Sequence, residues 1–272
     1  MNHVVTDIPR LGLGTFGRTG EVGIAAIQRA LELGYRHIDT AQSYGTEASV
    51  REAIRRSGLA REAVFVTTKV ADVNLAPADF LPSVEASLRA LGTEWIDLLL
   101  IHWPRREEEV PLASYMEALA ETQAKGWTRH IGVSNFTIAL LERSETIVGR
   151  GALATNQVEL HPYLQNRTLA AYARTKGLLL TAYMPLAQGR AADDPVLRSM
   201  AERHEVEPGT IALAWLLQNG FAAIPATSRE THLASNLMAR TVRLSDAEMA
   251  DIDRLDRGSR IVDPDKAPLW DE

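Results

Sequence analysis

"WIDLLLIHWP", residues 95–104, is an apolar run that ends on an imidazole. A short continuous run of this kind reads as a strand covered on both faces, as parallel strands are. A strand that only filled a core could stop at Ile101. Here His102, Trp103 and Pro104 follow. His102 therefore either finds a hydrogen bond in the interior or belongs to a site at the strand's end, and the segments around it must decide.

Comparable β-rich runs occupy 10–16, 36–41, 64–70, 128–136, 154–161, 178–186 and 222–228. Amphipathic segments lie between them. Residues 21–34 carry apolar side chains at helical spacing and close on Gly34, a common C-terminal stop. Residues 46–58 run from a Thr to a Gly, and 77–92 from an early Pro to a Gly with Pro82 inside the first turns. Early Pro and terminal Gly are the expected helix asymmetry, and 111–126 repeats it. Further helices are predicted over 167–176, 194–204, 208–219, 229–238 and 245–256. Eight strands alternating with helices predict a (β/α)8 TIM barrel. An open doubly wound sheet would have fewer strands and a domain break, and no Pro/Gly/Ser-rich linker marks one. Residues 1–272 are thus expected to form a single barrel domain. The irregular C-terminal tail, 257–272, should lie over or near the mouth.

Composition narrows the chemistry. The apolar share of 46% and charged share of 24% are those of an ordinary globular chain. A net charge of −6, with no basic run, gives no reason to expect nucleic acid or an anionic membrane as partner. Zero cysteines exclude disulfides, thiolate metal sites and Cys nucleophiles. The start, MNHVVTDIPRLGLG, lacks the pattern of a signal peptide, and no apolar stretch has the length to cross a bilayer. The cytoplasm is the expected compartment. With no coiled-coil pattern or apolar edge strand, a monomer is expected.

In such barrels the site gathers at the C-terminal strand ends. Those ends carry Gly14 and Thr15; Asp39, with Tyr44 in the loop beyond; Lys69; His102; Ser134 and Asn135; Gln157 and Glu159; Tyr183; and Thr227, Ser228 and Arg229. Singly, Asp39 reads as a cap, Lys69 as a surface cation and His102 as a satisfied core imidazole. Gathered at one mouth they read differently, because a buried Asp–Lys pair is costly to desolvate. A lysine beside a phenol favours the phenolate, so Tyr44 could lose its proton well below its reference value of about 10. A carboxylate behind the lysine keeps it charged, and the imidazole adds a donor for a carbonyl oxygen. The set suits protonation of an oxygen as negative charge develops on it. It lacks a covalent nucleophile, since Lys69 has to stay charged. It also lacks a metal cluster, since Asp39 and His102 have no third ligand at a convincing spacing. Reduction of a carbonyl by an external hydride remains, and that requires a cofactor.

"GLGTF", "DTAQSYG", "TTKV", "DLLLIHWP", "IGVSNF", "TNQVELHPYLQ", "AYMPLAQG" and "IPATS" resemble, in order and across essentially the whole chain, the signatures of the aldo-keto reductases. The closing "RIVDPDKAPLWD" is similar to a bacterial branch that reduces diketo-sugar acids and methylglyoxal. The resemblance implies that hydride passes from nicotinamide C4 to a carbonyl carbon of a small aldehyde or ketone. It implies Tyr44 as proton donor, Lys69 and Asp39 tuning it, and His102 orienting the carbonyl. It further implies that Ser134, Asn135 and Gln157 bind the carboxamide and Tyr183 stacks on the nicotinamide. Met184, Pro185, Leu186 and Gln188 would wrap the pyrophosphate, with Gly14, Thr15, Phe16 and Asp39 also against the cofactor. Thr227, Ser228, Arg229, His232 and Asn236 would hold the adenosine end.

Ala226 and His232 stand where many NADPH-preferring relatives have Lys and Arg. NADPH is still the expected cofactor, through Arg229, with NADH a weaker alternative. Phe16, Gln42, Trp103, Trp127 and Trp270 are the expected substrate-pocket residues. Two other readings stay open: a cofactor-sensing binding protein with little turnover, and a barrel aldolase or isomerase using Lys69 as an imine-forming amine.

Overall fold

In the computed structural model, residues 7–106 and 108–271 are described. The part of the N-terminal stretch that was read for a signal peptide at residues 1–6 lies outside them. Eight parallel strands pair in chain order: β1 (Leu13–Gly14), β2 (His37–Asp39), β3 (Phe65–Val70), β4 (Ile96–Ile101), β5 (Thr128–Ser134), β6 (Leu153–Glu159), β7 (Leu179–Tyr183) and β8 (Ala222–Ala223). A bridge between Leu11 and Ala223 closes the ring, reinforced by Gly12 N–H donating to the Ala223 carbonyl at 2.9 Å. The fold is the (β/α)8 barrel.

The helices are α1 (Gly20–Leu33), α2 (Glu47–Ser57), α3 (Pro77–Leu91), α4 (Leu112–Ala124), α5 (Ile138–Val148), α6 (Arg167–Lys176), α7 (Pro195–His204), α8 (Pro208–Gln218), α9 (Glu230–Met238) and α10 (Asp246–Asp253).

The apolar run in β4 now has its explanation. Leu99 and Ile101 join the large cluster between sheet and helices, whereas Leu98 and Leu100 pack with Ile8, Ala154, Leu179 and Ala222 in a separate inner cluster. Strand side chains alternate faces, so a strand buried on both sides is apolar at every position. Continuing the alternation one step past Ile101 puts His102 in register with the inner face, at the mouth.

Three readings of the elements need correction. The runs at 10–16 and 222–228 shrink to two-residue strands. At this seam the backbones are close: a Cβ on Gly14 would lie 2.9 Å from the Ile224 carbonyl oxygen. The rest of each run bends away to build the mouth. Helix α5 was not foreseen, although Thr137 is a sound N-cap whose hydroxyl accepts from Leu140 N–H at 3.4 Å.

Beyond α10 the tail has no regular structure and is pinned at several places, three of which bear on the site. Ile261 and Val262 N–H both donate to the Glu159 carboxylate at 2.7 Å. Lys266 pairs with Asp72 at 2.8 Å, and Asp271 accepts from Ile138 N–H at 2.9 Å. Glu159 is itself fully buried at the end of β6, so the tail is anchored to a strand end.

Candidate active site

Lys69 is completely buried, and its ammonium donates to Asp39 Oδ1 at 2.5 Å and to the Thr40 carbonyl at 2.8 Å. The other Asp39 oxygen accepts from Gln157 Nε2 at 2.7 Å. The carboxylate is therefore held on both oxygens and cannot swing away from the lysine. Burial pulls the Lys69 pKa down, but the charges of Asp39 and Tyr44 more than offset it and the ammonium stays above its ordinary value.

Tyr44 ends a short 3₁₀ turn, Gln42–Tyr44, which closes on left-handed Gly45. Two sets of bonds hold this turn. The Thr15, Thr46 and Thr40 hydroxyls chain together at 2.9 and 2.7 Å. Gln42 accepts from Ala71 N–H and Asn74 at 2.9 Å each and donates to Ser83 and Ser87 at 3.1 and 3.2 Å. The Lys69 ammonium lies 5.0 Å from the Tyr44 ring centre. The Tyr44 hydroxyl is 3.5 Å from His102 Nε2. His102 Nδ1 lies 3.2 Å from the Ser43 hydroxyl, and the Asn135 amide donates to the His102 carbonyl at 3.0 Å.

Electrostatics assigns protonation states. Burial, helped by the nearby charges of Lys69 and Lys266, lowers His102 to about 3, so the imidazole is neutral near pH 7. If Ser43 donates to Nδ1, the proton sits on Nε2 and faces Tyr44, a tautomer assigned from the hydrogen-bond pattern. Tyr44 departs from expectation. Burial raises the phenol above its ordinary value, and Lys69 offsets this only in part. Lys69 still acts in the expected direction, but desolvation outweighs it, and Tyr44 holds its proton at neutral pH.

Asp39, Tyr44, His102, Ser134, Asn135 and Gln157 share one cavity of about 580 Å³ with Gly14, Phe16, Trp103, Tyr183 and Met184. Tyr183 donates to Asn135 Oδ1 at 2.9 Å, and Ser134 to the Gln157 carbonyl at 2.7 Å. Met184, Ile224 and Ala226 also line a second cavity of about 310 Å³, with Pro185, Leu186, Gln188, Thr227, His232 and Asn236 on its walls. Met184, Ala187 and Gln188 all have positive φ, a left-handed conformation that costs energy outside glycine. Strained backbone thus forms the wall between the two cavities. Ser228 and Arg229 are exposed beside Thr227, whose hydroxyl accepts from Arg229 N–H at 3.1 Å.

Some predicted residues lie elsewhere. Gln42 was expected to line the substrate pocket, but its amide is spent on the four bonds that tie down the Tyr44 turn. Thr15 is buried and bonded to Thr46, so its side chain supports the loop instead of lining the cavity. Trp127 precedes β5 at the opposite end of the barrel, where its carbonyl accepts from Ile96 N–H at 2.9 Å. It has no access to the mouth. Trp270 stands behind the wall: its ring is 6.1 Å from Trp103 and the Arg260 guanidinium lies 3.8 Å over it.

Arg18, Ser43, Val262 and Lys266 line the cavity and were not singled out in the sequence. Ser43 had a signal, being next to Tyr44 in "AQSYG"; the tail residues had none.

The sequence model of the Aldo/keto reductase family matches residues 10–257. Methylglyoxal reductase DkgB of Yersinia pestis is 44% identical over 266 residues, 97% of this chain and 100% of that protein. Morphine 6-dehydrogenase of Pseudomonas putida is 37% identical over 268 residues, 93% of this chain and 90% of that one. Among solved structures, a putative 2,5-diketo-D-gluconic acid reductase B superposes with a TM-score of 0.94 at 41% identity, covering 97% of this chain and 94% of that one. The chain belongs to the aldo/keto reductase family and is an oxidoreductase acting on carbonyl groups.

Proposed function

We propose that the protein reduces small aldehydes and ketones, methylglyoxal and aromatic aldehydes among them and 2,5-diketo-D-gluconate in the same range, with NADPH as cofactor and Tyr44 as proton donor. The observation that carries this reading is the buried Asp39–Lys69 pair beneath a protonated Tyr44, beside a neutral His102, in one cavity.

The residues fit a nicotinamide dinucleotide. A cavity that presents the amides and hydroxyl of Ser134, Asn135 and Gln157 abuts a second one that ends at Thr227 and the buried Asn236. The combined shape suits an elongated, two-headed ligand, with Ser134, Asn135 and Gln157 binding the carboxamide, Tyr183 against the ring and residues 184–188 along the pyrophosphate. When bound, the reduced cofactor supplies the hydride.

The protein's own groups do the rest. His102 Nε2–H and the Tyr44 hydroxyl both donate to the substrate oxygen, which fixes the carbonyl and stabilises charge as it develops. Tyr44 then transfers its proton to that oxygen. Lys69, locked by Asp39 and Thr40, stabilises the phenolate left behind. A phenol of high pKa in the resting site is protonated and ready to donate, and the lysine makes the loss of the proton affordable at that moment. Consumption of NADPH with methylglyoxal or 4-nitrobenzaldehyde, with the alcohol identified, tests the reading.

With its pKa at about 3, His102 contributes no ionisation between about pH 5 and 8, although an ordinary imidazole would titrate near 6.5. The expected pH profile of kcat/KM has no inflection there. An inflection near that value that vanishes in His102→Gln would contradict the neutral donor.

Cofactor choice depends on Arg229, the one Lys or Arg within residues 226–236. A hydrogen bond to a charged group is worth about 1.5–3 kcal/mol, or roughly tenfold to a hundredfold in affinity. Arg229 is exposed, and screening places the effect at the lower end. Arg229→Ala is expected to weaken NADPH about tenfold and leave NADH nearly unchanged in fluorescence titrations. Equal weakening of both would mean that Arg229 does not read the 2′-phosphate.

A further inference from the structure

The catalytic cavity carries more charge than proton transfer uses. Besides Asp39, its walls include Arg18, Asp72 and Lys266. With Lys69 beneath, this makes three cations (Arg18, Lys69, Lys266) against two carboxylates (Asp39, Asp72). Lys69 and Asp39 neutralise each other, which leaves Arg18, Lys266 and Asp72 at the mouth. The Arg18 Nε is buried without a hydrogen-bond partner among the described residues, while its Nη1 donates to the Phe16 carbonyl at 2.8 Å.

Lys266 reaches the site on the tail. Its ammonium pairs with Asp72 at 2.8 Å and lies 5.9 Å from the Trp103 ring centre. Its field is felt at His102, where it helps keep the imidazole neutral. A substrate carbonyl held by His102 is therefore within electrostatic range of Lys266. Asp72 has a second cation, since Arg105 lies 3.7 Å from its other oxygen. It can release Lys266 without being left unpaired. The Lys266 side chain is 43% exposed, so the exchange involves little desolvation.

From this arrangement we infer that Lys266 makes the enzyme favour carbonyl substrates that also carry a carboxylate, its ammonium exchanging Asp72 for the substrate's anionic group. The inference rests on the proposed carbonyl reduction and names the residue that selects the anionic members of its substrate range. Arg18 raises the local potential further. No bond is made or broken in the exchange, and Lys266 is a specificity residue with no part in proton transfer.

The test uses pairs of benzaldehydes bearing a carboxylate or a nitro group at the same ring position. The two groups are nearly isosteric and differ in charge, and the ortho, meta and para isomers sample the distance to Lys266. The readout is the ratio of kcat/KM for the carboxylate to that for the nitro compound, with saturating NADPH. In Lys266→Met the ratio should fall about threefold to thirtyfold for at least one isomer, the range between an exposed ion pair and a desolvated one. Lys266→Arg should retain most of the preference. Asp72→Asn should raise the ratio, because the competing carboxylate is gone, and added salt should lower it in the wild type.

A ratio unchanged in Lys266→Met, or an equal fall for both members of every pair, would overturn the inference while leaving carbonyl reduction standing. Wild-type protein that turned over no nitrobenzaldehyde would overturn the proposed reaction, and the inference with it.

Discussion

Tyr44→Phe is expected to abolish nearly all carbonyl reduction while leaving the fold intact. The ring stays in place because its packing does not need the hydroxyl: Phe16 lies 5.1 Å away edge-on and His102 5.4 Å. The hydroxyl's hydrogen bond with His102 is long at 3.5 Å, and Lys69, which also interacts with it, keeps its bonds to Asp39 and Thr40, so the loss should cost little stability. The proposed proton donor goes, and general acid catalysis contributes roughly 10²–10⁴-fold. Because the same hydroxyl also stabilises the developing oxyanion, kcat should fall toward the upper end of that range. Cofactor binding, followed by fluorescence quenching, should be near normal. A variant that kept most of the wild-type kcat would remove Tyr44 from the mechanism.

Lys69→Met should strike both stability and rate. Asp39 would keep its bond from Gln157 but lose its counter-ion in a site with almost no exposure. Removing one partner of a buried pair costs about 3–5 kcal/mol, which for a chain of this size lowers Tm by roughly 10 °C. Lys69 also lowers the Tyr44 pKa against the effect of burial. In its absence the phenol rises further and becomes a poorer acid. The controlling pKa in any measurable pH–rate profile should move upward, a shift that a merely structural lysine would not produce. Lys69→Arg should restore part of the stability without restoring the geometry. A normal Tm with an unchanged profile would contradict the assignment.

Much of the fold was legible because the barrel imposes a simple code on β4. Leu98 and Leu100 face one cluster and Leu99 and Ile101 the other, so the run is apolar throughout and the first polar residue marks the mouth. Legibility failed where backbone geometry, not burial pattern, decides. At the β1–β8 seam the strands are two residues each, and the chains pass so close at Gly14 and Ile224 that a Cβ would not fit. The α5 segment follows the strand run "IGVSNF" directly, with only the capping Thr137 between them and no loop to mark its start.

At the site, residues anchored at strand ends were readable as a group, since their position follows from strand count alone. Loop residues were not. Gln42 turns from the cavity to satisfy Ala71, Asn74, Ser83 and Ser87, a choice made by tertiary neighbours. Trp127 looked like a pocket aromatic because its end of the barrel could not be told from a single segment. Lys266 comes from a tail without period, fixed in place by the distant Glu159 and Asp72. The direction of the Tyr44 shift was misread because spacing reveals the lysine but not the depth of burial.

The central claim is that the cavity at the barrel mouth reduces a carbonyl at the expense of NADPH, and one measurement tests it most directly. NADPH oxidation is followed near neutral pH with methylglyoxal present or absent, and the alcohol is quantified in the same sample. The account predicts consumption only when the carbonyl is present, one alcohol formed for each NADPH oxidised, and a slower reaction with NADH. Protein that bound NADPH, as seen by fluorescence quenching, yet oxidised none of it with methylglyoxal or an aromatic aldehyde would contradict the account.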